Sequence, residues 1–219
     1  MAYRQTDKVR QRLAVRRAAI LAAARALASE QGMEAVQIAS VAERAGIAAG
    51  TVYRYFPAKT ALVEALVEAV ASAEIANMRG AADRAPGPLS ALAAAIVTFA
   101  ARARRDRKLV WALTAEPVDP DIDRARLAFR RALAGEIKRR LTGDHVPDIA
   151  PALAAATVLG ALLEGLIGPL APNGAAEVKE REIVQTLALM ALRGLGVVDA
   201  RARGLVVQAP WPAVENATS

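Results

Sequence analysis

The sequence predicts an all-α protein in which a small N-terminal domain of three helices precedes a larger helical domain. Hydrophobic residues make up 54% of the 219 residues but aromatic residues only 4%. The core must therefore consist mainly of Ala, Leu, Val and Ile, and Ala and Leu are good helix formers. Apolar residues recur at three- and four-residue spacing, and the alternation of β-branched residues typical of strands is scarce. Pro and Gly clusters divide the chain into about nine helical segments.

The first domain is predicted to cover residues 1–60. It begins with a flexible basic arm over residues 1–9, and Gly32 ends its first helix. Gly46 follows the second helix, where a left-handed backbone conformation would terminate it. The predicted helices cover residues 11–31, 38–45 and 49–56.

The second domain is predicted to cover residues 61–219. Pro57 ends the third helix and can lie in the first turn of the fourth. Residues 197–219 contain Pro210 and Pro212 and are predicted to be irregular, with the alternative that Leu205, Val206, Val207 and Trp211 pack onto the body. The remaining predicted helices cover residues 58–79, 89–105, 107–115, 122–141, 151–170 and 175–195.

The positive charge is concentrated at the N-terminal end. Residues 1–60 contain ten Lys and Arg against four Asp and Glu, whereas residues 61–219 contain nineteen against eighteen. A concentrated positive field attracts a polyanion, and nucleic acid is the first candidate. A basic tail that only aids solubility remains an alternative. Four basic residues are expected before or at the start of the first helix, where they either reach the minor groove or belong to a disordered tail: Arg4, Lys8, Arg10 and Arg12.

The composition argues against an enzyme. There is no cysteine, and the one histidine, His145, has no evident partners for a Ser-His-Asp arrangement or a zinc site. The acidic cluster of Asp119, Asp121 and Asp123 lies in a Pro-containing turn and indicates the start of a helix. We therefore expect no catalytic residues, no metal and no cofactor.

The location expected for the chain is the cytoplasm, because the first twenty residues lack the apolar run of a secretion signal. Residues 151–171 are apolar and nearly long enough to span a bilayer. However, they are rich in Ala and include Glu164, and a carboxylate in hydrocarbon is costly. A buried helix of a soluble protein is the favoured interpretation, so no membrane partner is expected.

Two short helices joined through Gly46 have the pattern of a helix-turn-helix. The second of them begins with the small residues of segment 48–51, so its backbone N–H groups can approach phosphates and its dipole attracts an anion. Val52 and Phe56, four residues apart, form the face that packs inward. The residues expected to face outward are Thr51, Arg54 and Tyr55, with Tyr53 at the flank.

These segments closely resemble the DNA-binding signature of the TetR family. The resemblance rests on the runs Val41–Ile47 and Gly50–Lys59 with Leu62, and it extends over about residues 14–66. It implies that the DNA contacts are mostly with phosphates, and that Ala49 and Gly50 lie closest to base edges. The residues it places against DNA are Gln37, Ala48, Ala49, Gly50, Thr51, Tyr53, Arg54, Tyr55 and Lys59.

Among these residues, Arg54 is expected to read a base, because Arg can hold guanine with two hydrogen bonds. Alternatively, Tyr53 is a core aromatic and Lys59 a solvated charge. The chain departs from the family at Gln37 and Ala48, where Ser or Thr usually caps the two short helices. Because a missing hydroxyl cap costs about 1 kcal/mol, Ala48→Ser should stabilise the protein and add a phosphate contact.

The resemblance also implies a symmetric homodimer on a palindromic operator, formed through a four-helix bundle of the last two main helices, and a small-molecule effector that releases a repressor. An internal core is the alternative for the apolar positions on these helices. The candidate dimer residues are Leu159, Leu163, Leu166, Ile183, Leu187 and Met190. The candidate effector-binding residues are Phe99, Trp111, Glu116, Phe129 and Glu164.

Overall fold

The computed structural model describes residues 7–116, 120–141, 150–172 and 177–212, and these are helical apart from short connections, with no strand among them. The prediction of an all-α fold with an N-terminal helix-turn-helix domain is confirmed. A short 3₁₀ turn covers Met33–Ala35. The helices are α1 Asp7–Gln31, α2 Ile38–Arg44, α3 Ala49–Tyr55, α4 Lys59–Asp83, α5 Pro88–Arg105, α6 Arg107–Thr114, α7 Pro120–Arg140, α8 Pro151–Ile167, α9 Glu177–Gly194 and α10 Asp199–Gln208.

Helix α5 forms the centre of the larger domain. It packs against α4, α6, α7, α8, α9 and α10. Fourteen of its eighteen residues are buried, many of them alanines, so neighbouring helices can approach it closely on all sides. The N-terminal domain of α1 to α3 meets this body through α1, which contacts α4 and α6. The predicted boundary at residue 60 falls in the first turn of α4.

Two predictions about the ends of the chain were wrong. Helix α1 begins at Asp7, so Lys8, Arg10 and Arg12 lie on a helix and not on a flexible arm; Arg4 lies outside the described residues. Ion pairing between Arg10 and Asp7, 2.7 Å apart, supports this first turn. A run without Gly or Pro from residue 7 onward allows the helix to extend there.

The C-terminal segment contains a tenth helix where irregular structure was predicted. Residues 199–208 form α10, and Val206 packs into the core while Leu205 is half-buried against it. Asp199 in the first turn accepts a hydrogen bond from Arg203 Nε at 2.8 Å, and this contact lowers the pKa of Asp199. The alternative prediction, that apolar residues of this segment pack onto the body, is thus confirmed for Val206 and Leu205. It is wrong for Val207, which is exposed.

The larger domain holds its helices together with buried ion pairs. Arg102 on α5 donates to both carboxylate oxygens of Glu74 on α4 at 3.0–3.1 Å. Arg104 on α5 donates through Nε to Glu180 of α9 at 2.6 Å, and through Nη1 to the Leu166 carbonyl oxygen of α8 at 3.1 Å. These contacts connect α5 to three of its neighbours.

A second buried cluster joins α4 to α7 around Glu136, whose side chain is fully buried. Its carboxylate accepts hydrogen bonds from Arg79 of α4 at 2.9 Å and from Arg139 and Arg140 of α7. Arg140 also pairs with Asp83 of α4 at 3.2 Å. The C-terminal half of α4 is therefore fixed to α7 by charge as well as by apolar packing.

Within the described part of the chain, none of the helices is both long and apolar enough to traverse a bilayer. Helix α8 has seventeen residues, and the side chain of Glu164 on it is exposed. His145 and Asp119 lie outside the described residues.

Candidate nucleic-acid interface

The helix predicted to read DNA is a two-turn helix with an unobstructed N-terminal end. Ala48 occupies the N-cap position in an extended conformation and provides no capping hydrogen bond, as the sequence predicts. Ala48, Ala49 and Gly50 are exposed, and Thr51 is half-buried. Because no long side chain covers this end of α3, its free N–H groups are accessible to a phosphate.

Packing on one side of α3 fixes which way the helix faces. Val52 is fully buried and Phe56 nearly so, which confirms the predicted inward face. The guanidinium of Arg17 lies over the Phe56 ring, 5.3 Å from its centroid. Gly46 has φ +64, and the Ile47 N–H donates to the Ala42 carbonyl oxygen at 3.0 Å, so the turn between α2 and α3 closes as predicted.

The charged side chains near α3 are directed to solvent. Arg54 is exposed and Lys59 half-buried, and neither has an acidic partner in the part of the chain that the structure describes. Tyr53 is 53% exposed, so it is not a core aromatic. Gln37 occupies the N-cap position of α2, but its Nε2 donates back to the Glu34 carbonyl oxygen at 2.8 Å and does not cap the helix.

Tyr55 does not face outward as predicted. It is half-buried, packs against the core and forms part of a groove of about 810 Å³ between α3 and the exposed start of α1. The sequence does not indicate this groove, because Lys8 and Arg12 are predicted to precede the first helix and Tyr55 to face outward. The groove is lined by Lys8, Gln11, Arg12, Leu13, Val15, Arg16, Ala19 and Tyr55.

The two domains are connected by Glu116, which was predicted to bind an effector. Its Oε2 accepts a hydrogen bond from the Met33 N–H at 2.8 Å. Gly32 has φ +88, and a Cβ there would lie 2.8 Å from Glu116 Oε1, so this carboxylate fits closely over the glycine. The end of α1 and the region after α6 are joined at this point.

Arg126 of α7 holds the backbone of the segment around Glu116, which contacts the DNA-binding domain. Its Nη2 donates to the Ala112 carbonyl oxygen at 2.7 Å, and its Nη1 donates to the carbonyl oxygen of Glu116. Desolvation lowers the pKa of Arg126, and the nearby charges of Glu116 and Asp123 oppose that shift. Helix α7 is thereby tied to the segment that contacts the DNA-binding domain.

The five candidate effector-binding residues do not converge on one cavity. Trp111 and Glu116 line a cleft of about 580 Å³ between α1 and α6. Phe129 lines a separate groove of about 420 Å³ between α4 and α7. Phe99 is buried in the core, and Glu164 lies near the end of α8, 3.5 Å from the Leu170 N–H.

The candidate dimer residues divide into two groups. Leu159, Leu163 and Leu166 are buried within the single chain, so they belong to its own core and are not available to a second chain. This corrects the face predicted for α8, whose spacing could not tell which side meets α5 and α7. The residues of α9 are more accessible: Ile183 and Leu187 are half-buried, and Met190 is 63% exposed.

The geometry described so far defines a helix-turn-helix domain on an all-helical body. Residues 20–66 match the family model of bacterial regulatory proteins, tetR family. The N-terminal domain is therefore similar to the DNA-binding domain of the tetR family, as the resemblance of its signature predicted.

Curated relatives agree with this assignment. The chain is 37% identical over 137 residues to the HTH-type transcriptional repressor KstR of Rhodococcus jostii, an alignment that covers 62% of each chain. It is 58% identical over 48 residues to KstR of Mycolicibacterium smegmatis, covering 22% of this chain and 24% of the relative. The chain thus spans less than two thirds of the length of these relatives. Their regulator names agree with the prediction that the chain is not an enzyme.

A solved structure extends the likeness to nearly the whole fold. The crystal structure of RolR in complex with resorcinol aligns with a TM-score of 0.66 at 24% identity, over 93% of this chain and 98% of that one. At this identity the likeness concerns the fold alone, which includes the helices beyond the matched domain.

Proposed function

We propose that the chain is a sequence-specific DNA-binding transcriptional repressor that acts as a symmetric homodimer in the cytoplasm. The observation that carries this proposal is the exposed, small-residue end of α3, held in place by buried Val52 and Phe56. A helix without bulky side chains at its end can enter the major groove of DNA. The repressor names of the KstR relatives support the same function.

The DNA contacts that we propose for individual residues are those implied by the family resemblance, and the exposure of the side chains around α3 supports them. Ala49 and Gly50 are proposed to lie closest to base edges, and Arg54 to recognise a guanine. Phosphates would be bound by exposed Tyr53, by Lys59 at the start of α4 and by Thr51 and the backbone at the α3 N-terminus. Gln37 and Ala48 border this surface, and Tyr55 supports it from below.

Dimerisation is proposed through the exposed faces of α8 and α9, because one helix-turn-helix binds DNA weakly and two copies add their contacts. Leu153 is 66% and Met190 63% exposed, and half-buried Ile183 and Leu187 lie on α9 with Met190. Two such faces together would form a four-helix bundle. The operator would then be palindromic.

Release by a small-molecule effector is proposed to involve the groove between α4 and α7, whose floor includes Phe129. Helix α4 leads directly from the DNA-binding domain, and α7 reaches that domain through Arg126 and Glu116. A ligand that separates these helices would change the distance between the two α3 helices of a dimer. That RolR was crystallised with resorcinol makes a small aromatic compound the first class of effector to test.

The proposal is tested by selecting bound sequences from random duplex DNA with the purified protein. We expect a two-fold symmetric site whose half-sites lie about one DNA turn, roughly 34–36 Å, apart. Enrichment of an asymmetric single site would contradict the dimer, and failure to enrich any sequence would contradict specific DNA binding.

A further inference from the structure

The first three turns of α1 carry a stripe of three cations, formed by Lys8, Arg12 and Arg16. These residues are four positions apart, so their side chains project from the same side of the helix. All three are exposed, line the groove described above, and have no acidic partner in the described ranges. Residue 20, where the family model begins its match, lies after the stripe.

The stripe is an unfavourable arrangement for the helix alone. Like charges at four-residue spacing destabilise a helix, and here two such pairs follow each other. The other two cations of this segment are engaged within the protein: Arg10 pairs with Asp7 at 2.7 Å, and Arg17 lies over Phe56. Among the described residues of this segment, the stripe residues are therefore the cations left for an external partner.

We infer that the Lys8, Arg12 and Arg16 stripe binds the phosphate backbone of the same DNA duplex that α3 enters. This inference rests on the proposed function. Tyr55 belongs to α3 and also lines the groove beside the stripe, which makes the stripe continuous with the DNA-reading surface. The stripe therefore enlarges the area of contact beyond the helix-turn-helix.

Helical geometry decides between phosphates and the minor groove as the target. A helix with its side chains is about 10–12 Å wide, whereas the minor groove is about 6 Å wide. The stripe thus cannot enter the minor groove as an extended arm does. Successive stripe residues are about 6 Å apart along the helix, close to the roughly 6.8 Å between every second phosphate of one strand measured along the duplex axis. Contacts of this kind carry no sequence preference.

The test compares wild-type protein with the triple variant K8A/R12A/R16A on a selected operator duplex and on a mixed-sequence duplex, between about 50 and 200 mM salt. We expect the triple variant to bind both duplexes more weakly, with the sequence preference retained. The slope of log affinity against log salt should become shallower by about 0.9 for each phosphate that the variant no longer neutralises. Because alanine favours helix and removes repulsion, the melting temperature should be unchanged or higher.

Two control variants test whether the change in salt slope comes from the stripe itself. The alternatives are a general loss of positive charge and a disruption of α1. Arg10→Ala removes a cation of the same helix that lies off the stripe, and R130A/R131A/K138A removes three exposed cations from α7. Both should leave the salt slope unchanged. An equal change of slope in the α7 variant would overturn the inference in favour of a general charge effect.

The remaining outcomes distinguish this inference from the proposed function. Wild-type binding with an unchanged salt slope in the triple variant would overturn the stripe alone. Failure of the wild-type protein to bind any duplex would overturn both. If the triple variant lost binding to vesicles of anionic lipid but kept its DNA slope, the stripe would be a membrane site and the inference would be wrong.

Discussion

The two ends of this molecule use charged residues in opposite ways. In the larger domain, several ion pairs have at least one buried or nearly buried member: Glu74 pairs with Arg102, Arg104 with Glu180, and fully buried Glu136 with three more exposed arginines. In the first sixty residues the described ion pairs are exposed, such as that between Arg44 and Glu30, and Arg54 and Lys59 have no acidic partner in the ranges described.

Charged residues therefore contribute to stability in the larger domain and to recognition of a partner in the N-terminal domain. Removing one member of a buried pair strongly destabilises the fold, because the remaining charge lies without a partner in a medium of low dielectric constant. Exposed cations contribute little to stability, but they remain available to a polyanion and act over a Debye length of about 8–10 Å. Mutations of charged residues should therefore affect folding at one end and binding at the other.

The largest expected effect is at Glu136. Glu136→Ala leaves Arg79, Arg139 and Arg140 together without their common carboxylate, and we expect the free energy of unfolding to fall by about 3 kcal/mol. Urea unfolding measures it. Arg139→Ala is the control, because this side chain is 52% exposed and its removal should cost at most about 1 kcal/mol. An equal loss of unfolding free energy in the two variants would contradict the view that the buried Glu136 carboxylate is the centre of this ion-pair cluster.

The N-terminal domain and the larger domain also differ in how well the sequence predicts their structure. The helix-turn-helix was predictable because local features determine it: Gly46 must adopt a positive φ, and Val52 and Phe56 share a helical face. The α10 helix was missed because its Pro-containing surroundings obscured a short apolar stripe. The helix is held to the body by the packing of Ala202 and Val206 into the core, which the sequence does not reveal.

Tertiary contacts were the least predictable. Leu159 and Leu166 are large apolar residues of the kind found in dimer interfaces, but both are buried in the chain's own core. The neighbouring helices determine which side of α8 is buried. Glu116 is a candidate effector-binding residue by its sequence. Its acceptance of the Met33 N–H joins residues 83 positions apart, and no periodicity indicates such a contact.

The next effect concerns recognition alone. Arg54→Ala should reduce discrimination at one base pair by about 1–3 kcal/mol, whereas Lys59→Ala should weaken binding to all sequences alike and make the salt dependence shallower. Titration of the selected duplex and of its single-base variants at several salt concentrations measures both. Unfolding of either variant should match the wild type. Identical behaviour of the two variants would refute the proposed division between base and phosphate contacts.

At the junction between the domains, Gly32→Ala combines a strained positive φ with displacement of Glu116. We expect a loss of about 1–2 kcal/mol in the free energy of unfolding. In a Glu116→Ala background the cost should be smaller, because the carboxylate over Gly32 is gone. A double-mutant cycle measures this coupling, and strictly additive costs would show that the two residues act independently.

The smallest effect is a gain. Ala48 occupies an N-cap position without a capping hydrogen bond, so Ala48→Ser should raise the free energy of unfolding by about 1 kcal/mol. Its hydroxyl should also add a phosphate contact and increase the affinity for mixed-sequence DNA. Thermal unfolding and DNA titration measure the two. An unchanged or lower melting temperature together with unchanged affinity would place the cap elsewhere.

The central claim is that the unobstructed end of α3 enters duplex DNA, and Gly50→Leu tests it most directly. A Cβ at Gly50 meets no atom within 4 Å, so the variant should fold; Gly135→Leu, at an equally open and exposed position on α7, is the matched control. Affinity for the selected duplex should fall tenfold or more, about 1.4 kcal/mol, for Gly50→Leu and stay unchanged for Gly135→Leu. Wild-type affinity in a folded Gly50→Leu protein would contradict the claim.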